Sequence, residues 1–467
     1  MKRIPWTLLS CFALGAFIWF LPIPAGITPQ AWHLLAVFLA TILGLITTPL
    51  PMGAVAIIAL TVLTTTHTVT MHQALSGYGN EVAWLIMFAF FIAKSFVETG
   101  LGKRIAYFFT ALLGKKTLGL GYGLVATELL VAPAIPSMMA RSGGIIYPIL
   151  QGICDAYQSK PHSPSARRVG AFLTVTSFQA TVTTGAMFLT AMAANPLIAA
   201  LTQEQGHKIT WGTWALAGVV PGLLSLILMP LIMYKLCKPE ITDTPNATMM
   251  AKAKLKEMGP MSSQEWMMSG ILVVLLVLWI FGHYWGISAV TAAMLGLSSL
   301  LMTRVLSWKS VLKEENAWEN LIWFGALLMM ATFLNELGII PWFSEKVTNS
   351  FSSVHWTVAF PILALLYFYS HYLFASATAH VSSMYLPMLA IAISLGTPPM
   401  LAIFILMFSS NLFGGFTHYS CGPAALLYGA GYVGIKEWWK LGFISSLVNI
   451  AIWGGVGSLW WKFLGFW

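Results

Sequence analysis

A short pattern occurs twice in this chain, and its two copies begin 236 residues apart. The first copy is Leu-Ile-Met-Phe at residues 85–88, followed after twelve residues by Leu101-Gly102. The second copy is Leu-Ile-Trp-Phe at residues 321–324, followed after twelve residues by Leu337-Gly338. The match contains no gap. A repeat of this length predicts a fold that is built from two equivalent halves.

The chain has too few charged residues to be a soluble protein. Of its 467 residues 58% are hydrophobic and 8% charged, whereas about a quarter of a soluble protein is charged. Apolar runs such as 6–21, 31–46 and 82–93 recur along the whole chain, and about twenty such residues cross a bilayer. Period-two alternation is absent, and lipid tolerates no open sheet. We therefore expect an all-α polytopic membrane protein.

The distribution of positive charge predicts the orientation in the membrane. The net charge of +9 comes from lysines and arginines in short loops, which is typical of orientation signals rather than of nucleic-acid binding. The only long polar stretch, 238–264, is basic and separates two apolar halves, so we expect a cytoplasmic loop there. Lys2 and Arg3 precede an uncleaved first helix and predict a cytoplasmic N-terminus. The expected location is the inner membrane of a bacterium.

The remaining chain divides into scaffold helices, expected in 1–80 and 265–315, and two repeats, expected in 81–237 and 316–467. Each repeat contains a cluster of small and polar residues between short apolar arms. The clusters are Ser137–Gly144, within a segment near 118–156, and Ala375–Ser383, within a segment near 357–394. An ordinary extramembrane loop would also explain one cluster. Two clusters at matching places favour re-entrant hairpins, which are tolerated where they line a cavity.

After each predicted hairpin the chain carries the signature of a helix that is broken within the membrane. The first break is expected near 170–197, with Gly185 and Asn195-Pro196, and the second near 400–425, with Gly422-Pro423. Gly and Pro at equivalent points of two repeats mark the substrate site of many transporters. A break also exposes helix N-termini, which favour anions.

Several longer motifs carry a resemblance to a known family, and they extend over nearly the whole chain, from Pro24 to Trp461. They are Pro136-Ser137, Ala140–Gly144, Pro164–Arg168, His371–Ser376, Thr417–Ser420, Gly422-Pro423, Tyr428-Gly429 and Gly431–Val433. The chain resembles the divalent anion/sodium symporter family, in particular the branch of bacterial citrate/succinate and tartrate antiporters and plastid 2-oxoglutarate/malate translocators. The resemblance implies a homodimer that transports di- and tricarboxylates. It also implies an elevator-type fold of two inverted repeats, with about eleven transmembrane helices plus two re-entrant hairpins, divided into scaffold and transport domains.

The two predicted hairpin tips depart from the family pattern. The family has Ser-Asn-Thr at both tips, where sodium-coupled members hold sodium and substrate, whereas this chain has Ser137-Met138-Met139 and Ser376-Ala377-Thr378. Sodium prefers hard oxygen ligands, and neither a thioether nor a methyl group supplies one. The departures argue against sodium coupling and leave at most a weak sodium site at Ser137 and Thr378. No other cofactor is expected. Whether the Met pair lines the site stays open.

Burying a doubly charged anion requires compensation, and three basic side chains lie in or beside the predicted site segments. For Arg141 the alternative to substrate contact is a structural role, bridging hairpin carbonyls or facing the water layer. For His380 and His418 the alternative is a neutral, hydrogen-bonded imidazole. Glu128, in an apolar stretch, fits a buried pair or a helix end facing water better than a proton carrier. The expected substrate-binding residues are Ser137, Arg141, Thr184, Gly185, Asn195, Pro196, Ser376, Thr378, His380, Thr417, His418, Ser420, Cys421, Gly422 and Pro423.

These patterns predict a carrier of small carboxylate anions in a lipid bilayer, working by alternating access. We expect exchange of one carboxylate for another, with sodium- or proton-coupled symport as the alternative. An intramembrane enzyme is disfavoured because the spans contain no His-Glu-x-x-His pair, no Gly-x-Ser-x-Gly elbow and no paired catalytic aspartates. A channel is disfavoured because paired helix breaks suit a closed site better than an open pore.

Overall fold

The computed structural model describes residues 6–350 and 354–467, and this part of the chain is almost entirely helical. It contains no β-strand, only an isolated bridge between Lys116 and Asp243. By length and apolar composition, eight helices in the described ranges can cross a membrane, or nine if Met71–Gly79 and Glu81–Glu98, bent by 51°, form one span. Shorter apolar helices of 10–17 residues add to these. The all-α membrane fold is thus confirmed, while Lys2 and Arg3 lie outside the described residues.

The N-terminal part forms six helices. Thr28 caps the second of them, since its hydroxyl accepts a hydrogen bond from the Ala31 N–H at 3.2 Å and Pro29 occupies the first helical position. The helices are α1 (Trp6–Trp19), α2 (Pro29–Thr47), α3 (Met52–Thr65), α4 (Met71–Leu75, continued by a 3₁₀ turn Ser76–Gly79), α5 (Glu81–Glu98) and α6 (Leu101–Leu113).

The first hairpin and the first broken helix follow. Every residue of the helix α10 (Gly170–Met187) is buried, so this helix lies at the centre of the elements that pack around it. The elements are α7 (Thr117–Val131) with a 3₁₀ turn (Ala132–Ala134), α8 (Met138–Arg141), a π-helical turn (Ser142–Ile146), α9 (Tyr147–Ala156), a 3₁₀ turn (Pro164–Arg167), α10 (Gly170–Met187), a 3₁₀ turn (Leu189–Ala191), α11 (Ala194–Gln203) and α12 (Trp211–Leu236).

The polar stretch 238–264 is not simply a loop. Most of it forms a surface helix, α13 (Pro245–Met258), which packs on α6. The turn after it is tied to α6 by Arg104, whose Nε donates to Glu265 Oε1 at 2.6 Å. The next elements are α14 (Ser263–Phe281), a 3₁₀ turn (Gly282–Trp285), α15 (Ala289–Met302), α16 (Trp308–Leu312), α17 (Glu315–Glu336) and α18 (Ile339–Ser350).

The second hairpin and the second broken helix complete the chain. Their elements are α19 (Trp356–Ser370) with a 3₁₀ turn (His371–Leu373), α20 (Ala377–His380), a π-helical turn (Val381–Tyr385), α21 (Leu386–Ser394), α22 (Pro399–Leu412) with a 3₁₀ turn (Phe413–Gly415), α23 (Gly422–Gly429), α24 (Ile435–Asn449), a longer π-helical segment (Ile450–Gly457) and α25 (Ser458–Phe463).

Both arms of the first hairpin reach the same face of the molecule, beside the segment that follows α12. The Thr117 hydroxyl at the start of α7 donates to the Ile241 carbonyl at 2.5 Å. The Tyr157 hydroxyl just after α9 accepts from the Ala247 N–H at 3.2 Å. The segment enters and leaves at one face, and its tip, with Ile135 and Pro136 buried, lies among other helices, as a re-entrant hairpin requires.

The second hairpin opens at the other face. Trp356, at the start of α19, lines one cavity with Leu401, in the first turn of α22, and with Trp461. The Trp461 indole in turn donates to the Ala217 carbonyl at 2.9 Å, near the start of α12. Because α12 has 26 residues, its two ends lie about 39 Å apart. The two hairpins therefore open toward opposite faces, as inverted repeats require.

Candidate functional site

The two hairpin tips share one local structure. At each tip the first arm ends in a 3₁₀ turn, an extended serine caps the next helix, and a π-helical turn follows. Ser137 Oγ accepts from the Ala140 N–H at 3.1 Å, and 239 residues later Ser376 Oγ accepts from the Ala379 N–H at 3.3 Å. Each serine hydroxyl thus satisfies an N–H that the first turn of a helix leaves unpaired.

The first broken helix is held together by one amide side chain. After α10 ends, Phe188 and Met192 are extended on either side of a short 3₁₀ turn. Asn195, in the first turn of α11, donates through Nδ2 to the Gly185 carbonyl at 2.8 Å and to the Phe188 carbonyl at 2.9 Å. Both carbonyls lack a continuous helix to bind them, so Asn195 replaces the missing hydrogen bonds.

The second broken helix uses a hydroxyl for the same purpose. Between the 3₁₀ turn after α22 and the start of α23, residues 416–421 are irregular. The Ser420 hydroxyl donates to the carbonyls of Gly414 and Thr417, at 2.5 and 2.9 Å. Gly422 and Pro423 then begin α23, because proline needs no N–H bond in the first turn. The N-terminus of α23 therefore lies directly at the break.

The two broken helices contact each other through side-chain amides. Asn411 Nδ2 donates to Asn195 Oδ1 at 2.7 Å, and Gln179 Nε2 donates to the Gly415 carbonyl at 3.0 Å. Four oxygens in this region are buried and have no hydrogen-bond partner among the described residues: Gln179 Oε1, Thr183 Oγ1, Asn411 Oδ1 and Thr417 Oγ1. We call this contact region between the two breaks, formed by Gln179, Asn195, Asn411 and Gly415, the junction. Since buried polar groups are normally paired, its unpaired oxygens are free to form hydrogen bonds with a polar ligand.

The Met pair of the first tip lies against both breaks. A Cβ placed on Gly185 would lie 3.3 Å from Met138 Sδ, and one placed on Gly422 would lie 3.5 Å from Met139 Cε. Met138 is buried, while the Met139 side chain is 45% exposed. The pair therefore packs against both breaks, and its contact with substrate stays a prediction.

Arg141 is fully buried and bridges hairpin carbonyls, the alternative role considered for it. Its Nη1 donates to the Ile135 carbonyl of the first tip at 2.5 Å and to the Ala191 carbonyl of the first break at 2.6 Å. Its Nε donates to Glu128 Oε2 at 3.0 Å, so Glu128 belongs to a buried pair. Only Nη2 has no hydrogen-bond partner among the described residues. Contact between Arg141 and substrate stays a prediction, but its charge is compensated within the protein.

His380 occupies the position of Arg141 in the second hairpin, 239 residues later. Its Nδ1 lies 3.1 Å from Nδ1 of His371, and its Nε2 lies 3.0 Å from Ser370 Oγ. His371 Nε2 lies 3.0 Å from the Ser420 carbonyl of the second break and must donate to it, because a carbonyl only accepts. The two imidazoles, stacked on Phe413, thus tether the second tip to its break as Arg141 tethers the first.

The other predicted residues differ in their burial and in their hydrogen-bond partners. Thr184 is buried and donates to Glu128 Oε2 at 3.3 Å. Thr378 is partly exposed, next to the cap of the second tip, and buried Cys421 places Sγ 3.6 Å from the Gly414 carbonyl. The His418 Nδ1 accepts from the Trp439 indole at 3.2 Å. Pro196 follows Asn195 in α11.

Sequence reasoning missed Gln179, Thr181, Thr183 and Asn411. The signal available for Asn411 was an amide inside the apolar helix Pro399–Leu412, and for the other three it was the run of polar residues in α10. Among the described residues, no group of three or more His, Cys, Asp or Glu side chains could hold a metal ion. Any cation would depend on hydroxyl, amide and carbonyl oxygens.

Comparison with known proteins decides the family. The model of the sodium:sulfate symporter transmembrane region matches residues 2–467. The chain belongs to this family. The resemblance to divalent anion/sodium symporters is therefore confirmed, and the protein is a membrane transporter and not an enzyme.

Three members of this symporter family illustrate the relationship. A putative malate transporter, YflS, of Bacillus subtilis is 52% identical over all of this chain and 98% of its own. The chloroplastic dicarboxylate transporter 1 of Spinacia oleracea is 50% identical over 98% of this chain and 81% of its own. The citrate/succinate antiporter of Escherichia coli is 33% identical over 99% and 98%. Among solved structures, the Alcanivorax borkumensis YdaH transporter matches the fold with a TM-score of 0.55, at 14% identity, over 98% of this chain and 97% of its own.

Proposed function

We propose that this transporter carries small di- or tricarboxylates, such as 2-oxoglutarate, malate, succinate, citrate or tartrate. The observation that carries the proposal is the junction at the two breaks, which combines the unpaired hydroxyls of Thr183 and Thr417, both able to donate to a carboxylate, with the N-termini of α11 and α23. N–H groups at helix N-termini favour a carboxylate. Glu128, the fully buried carboxylate beside the first break in the described part of the chain, is paired with Arg141. The names of the relatives supply the substrate class.

Transport in this proposal is by an elevator mechanism, in which hairpins and broken helices move together past a fixed scaffold. In support, the bonds of Asn411 to Asn195 and of Gln179 to Gly415 join elements of both repeats into one unit. The helices α2, α3, α5 and α17 pack on one another and would form the scaffold, so this proposal moves α5 and α17 from the predicted repeats into the scaffold. Alternating access then follows from a sliding motion between two packed bodies.

Exchange of carboxylates is the coupling mode that we favour. Both tips lack the Asn of the family pattern, and one relative carries the name of an antiporter. The charge of Arg141 no longer supports exchange, since Glu128 compensates it. One observation favours the alternative, a symporter: the family is named for sodium symport.

The test is counterflow into proteoliposomes. Vesicles loaded with unlabelled malate are expected to accumulate external labelled malate without any ion gradient, whereas unloaded vesicles are not. A panel of unlabelled C4 to C6 carboxylates, with and without sodium, then ranks the substrates by competition. Sodium- or proton-driven uptake into unloaded vesicles would contradict exchange and leave carboxylate transport standing. Failure of every carboxylate to be transported or to compete would contradict the proposed function itself.

We also propose a homodimer in the inner membrane of a bacterium, with the opening of the first hairpin at the cytoplasmic face. In support, basic loop residues gather at that face, among them Lys116, Arg168, Lys238 and Lys256. An excess of lysine and arginine is typical of cytoplasmic loops. Native mass spectrometry of the purified carrier tests the dimer, and a monomer at all detergent concentrations would contradict it.

A further inference from the structure

The buried pair of Glu128 and Arg141 joins the parts of the first half of the site. Glu128 accepts hydrogen bonds from Thr181 at 2.9 Å and from Thr184 at 3.3 Å, both in α10. Arg141 binds the tip and the break, as described above. Hydrogen bonds thus join the Glu128 carboxylate to α10, and the Arg141 guanidinium to the first tip and the first break. Neither side chain is accessible to solvent.

An uncompensated charge on Glu128 or Arg141 would act on the junction because neither solvent nor salt screens it well. Coulomb energies in a protein interior exceed those in water several-fold at the same distance, and salt does not reach a fully buried pair. The Ile135 carbonyl bound by Arg141 is two residues from Ser137 at the tip. The only other charged side chain that is fully buried in the described ranges is Glu265, and it is paired with Arg104 beside α13. Glu128 and Arg141 are therefore the two buried charged side chains beside the first tip in the described ranges.

We propose that Glu128 is a positioning residue that weakens the binding of the anionic substrate by cancelling the charge of Arg141, while the pair fastens the first tip to its break. This inference rests on the proposed function, since it needs an anionic substrate. It goes beyond that function by naming the residue that adjusts affinity without touching the ligand. A carrier that binds a dianion too tightly releases it slowly, so a compensated arginine favours turnover.

The test measures the KM and kcat of malate counterflow for Glu128→Gln, Arg141→Gln and the double variant. Glutamine keeps the size of Glu128 and one acceptor oxygen for Arg141 and Thr184 but removes the charge, and its NH2 group can donate to the Thr181 hydroxyl, which then accepts. Glu128→Gln is expected to lower KM at least fivefold and to lower kcat, because the uncompensated arginine retains the anion. Arg141→Gln leaves an uncompensated carboxylate and is expected to raise KM at least fivefold. The double variant restores zero net charge, so its KM is expected within about twofold of the starting value.

Two further variants separate charge from structure. Glu128→Asp keeps the charge but shifts the carboxylate, so kcat is expected to fall with KM unchanged. Glu265→Gln removes a charge at the other buried pair, beside α13, and is expected to leave KM unchanged. A thermal unfolding curve for each variant reports folding. If Glu128→Gln does not fold, the contrast between Arg141→Gln, expected to raise KM, and the double variant, expected to restore it, still tests the inference.

The inference would be overturned if both single variants changed KM in the same direction. If Glu128→Gln and Arg141→Gln both raise KM, or if the double variant raises it more than tenfold, the pair is structural or Arg141 contacts substrate directly. Either outcome would leave carboxylate transport intact in the unmodified carrier. Loss of malate transport in the unmodified carrier would instead contradict the proposed function.

Discussion

Asn195 shows how one side chain makes a break in a membrane helix tolerable. No water is available in the bilayer core to satisfy free carbonyls, and the side-chain amide of Asn195 satisfies two of them while it accepts from Asn411. This arrangement also orients the second amide: Asn411 must donate, so its Oδ1 is left without a partner. A polar residue in an apolar setting here maintains the backbone of the site.

We predict that Asn195→Ala destabilises the carrier by about 2–4 kcal/mol, because it leaves buried carbonyls and an amide unpaired. The melting temperature in detergent measures the loss, and transport is expected to fall with it. Asn246→Ala, on the exposed side of α13, is the matched control and is expected to change neither. A stable but inactive Asn195→Ala protein would show that Asn195 acts on the substrate rather than on the fold.

Gly442 allows α24 to approach the second break closely. A Cβ at this position would lie 2.2 Å from the Phe416 carbonyl oxygen, a distance that backbone atoms cannot accept. We predict that Gly442→Ala displaces the break, destabilises the carrier by about 1–3 kcal/mol and reduces transport. Gly270→Ala, in α14, meets nothing within 4 Å and is the control. Equal behaviour of the two variants in melting and transport assays would contradict this prediction.

At the scale of elements, the two hairpins have the same architecture with different chemistry. Serine caps and π-helical turns recur at a spacing of 239 residues, but the tether from tip to break is an ion pair in the first hairpin and a pair of imidazoles in the second. The backbone design has been kept while the side chains have diverged. Inverted repeats thus give the site two similar halves with unequal electrostatics.

The caps give a prediction that distinguishes folding from substrate contact. Ser137→Ala and Ser376→Ala each remove a capping hydroxyl and are expected to cost about 1 kcal/mol, measured by thermal unfolding. Ser137→Thr and Ser376→Thr keep a hydroxyl and are expected to keep both stability and transport. If alanine at either position abolishes malate transport without any change in melting temperature, that serine is a substrate ligand and not only a cap.

At the scale of the whole molecule, opposite openings of the hairpins place the site between two faces. The face of the first hairpin carries α13 with Lys254, and the other face carries Tyr284, which is 75% exposed. The native cysteines, Cys11, Cys154, Cys237 and Cys421, are buried. An introduced surface cysteine can therefore be labelled with little background.

We predict that an impermeant maleimide labels Tyr284→Cys, but not Lys254→Cys, when it is added to intact cells. Lys254→Cys is expected to react only after the membrane is opened, since lysine-rich segments remain in the cytoplasm. The unmodified carrier, which has only the buried cysteines, is the control. Labelling of Lys254→Cys in intact cells would reverse the proposed orientation, although the fold would be unaffected.

Much of this architecture could be predicted from the chain alone, because the membrane leaves few choices. Apolar runs, a repeated pattern and paired Gly and Pro interruptions are local features, and each has a direct physical consequence in lipid. Asn195, Gly185 and Gly422 could be assigned to the breaks for this reason. The helix α13 could not be predicted, since a basic, polar stretch is compatible with either a loop or a surface helix.

The partners of the buried polar groups were decided only by the tertiary structure. Arg141 lies thirteen residues from Glu128 and fifty from Ala191, so no spacing rule connects them. The contact of Asn411 with Asn195 crosses 216 residues. Hydropathy and repeats report how each segment meets lipid, whereas charge compensation depends on which side chains meet when the segments pack. Local patterns in the chain therefore predict a membrane transporter with two repeats. Only the packing of distant segments shows that Glu128 compensates Arg141.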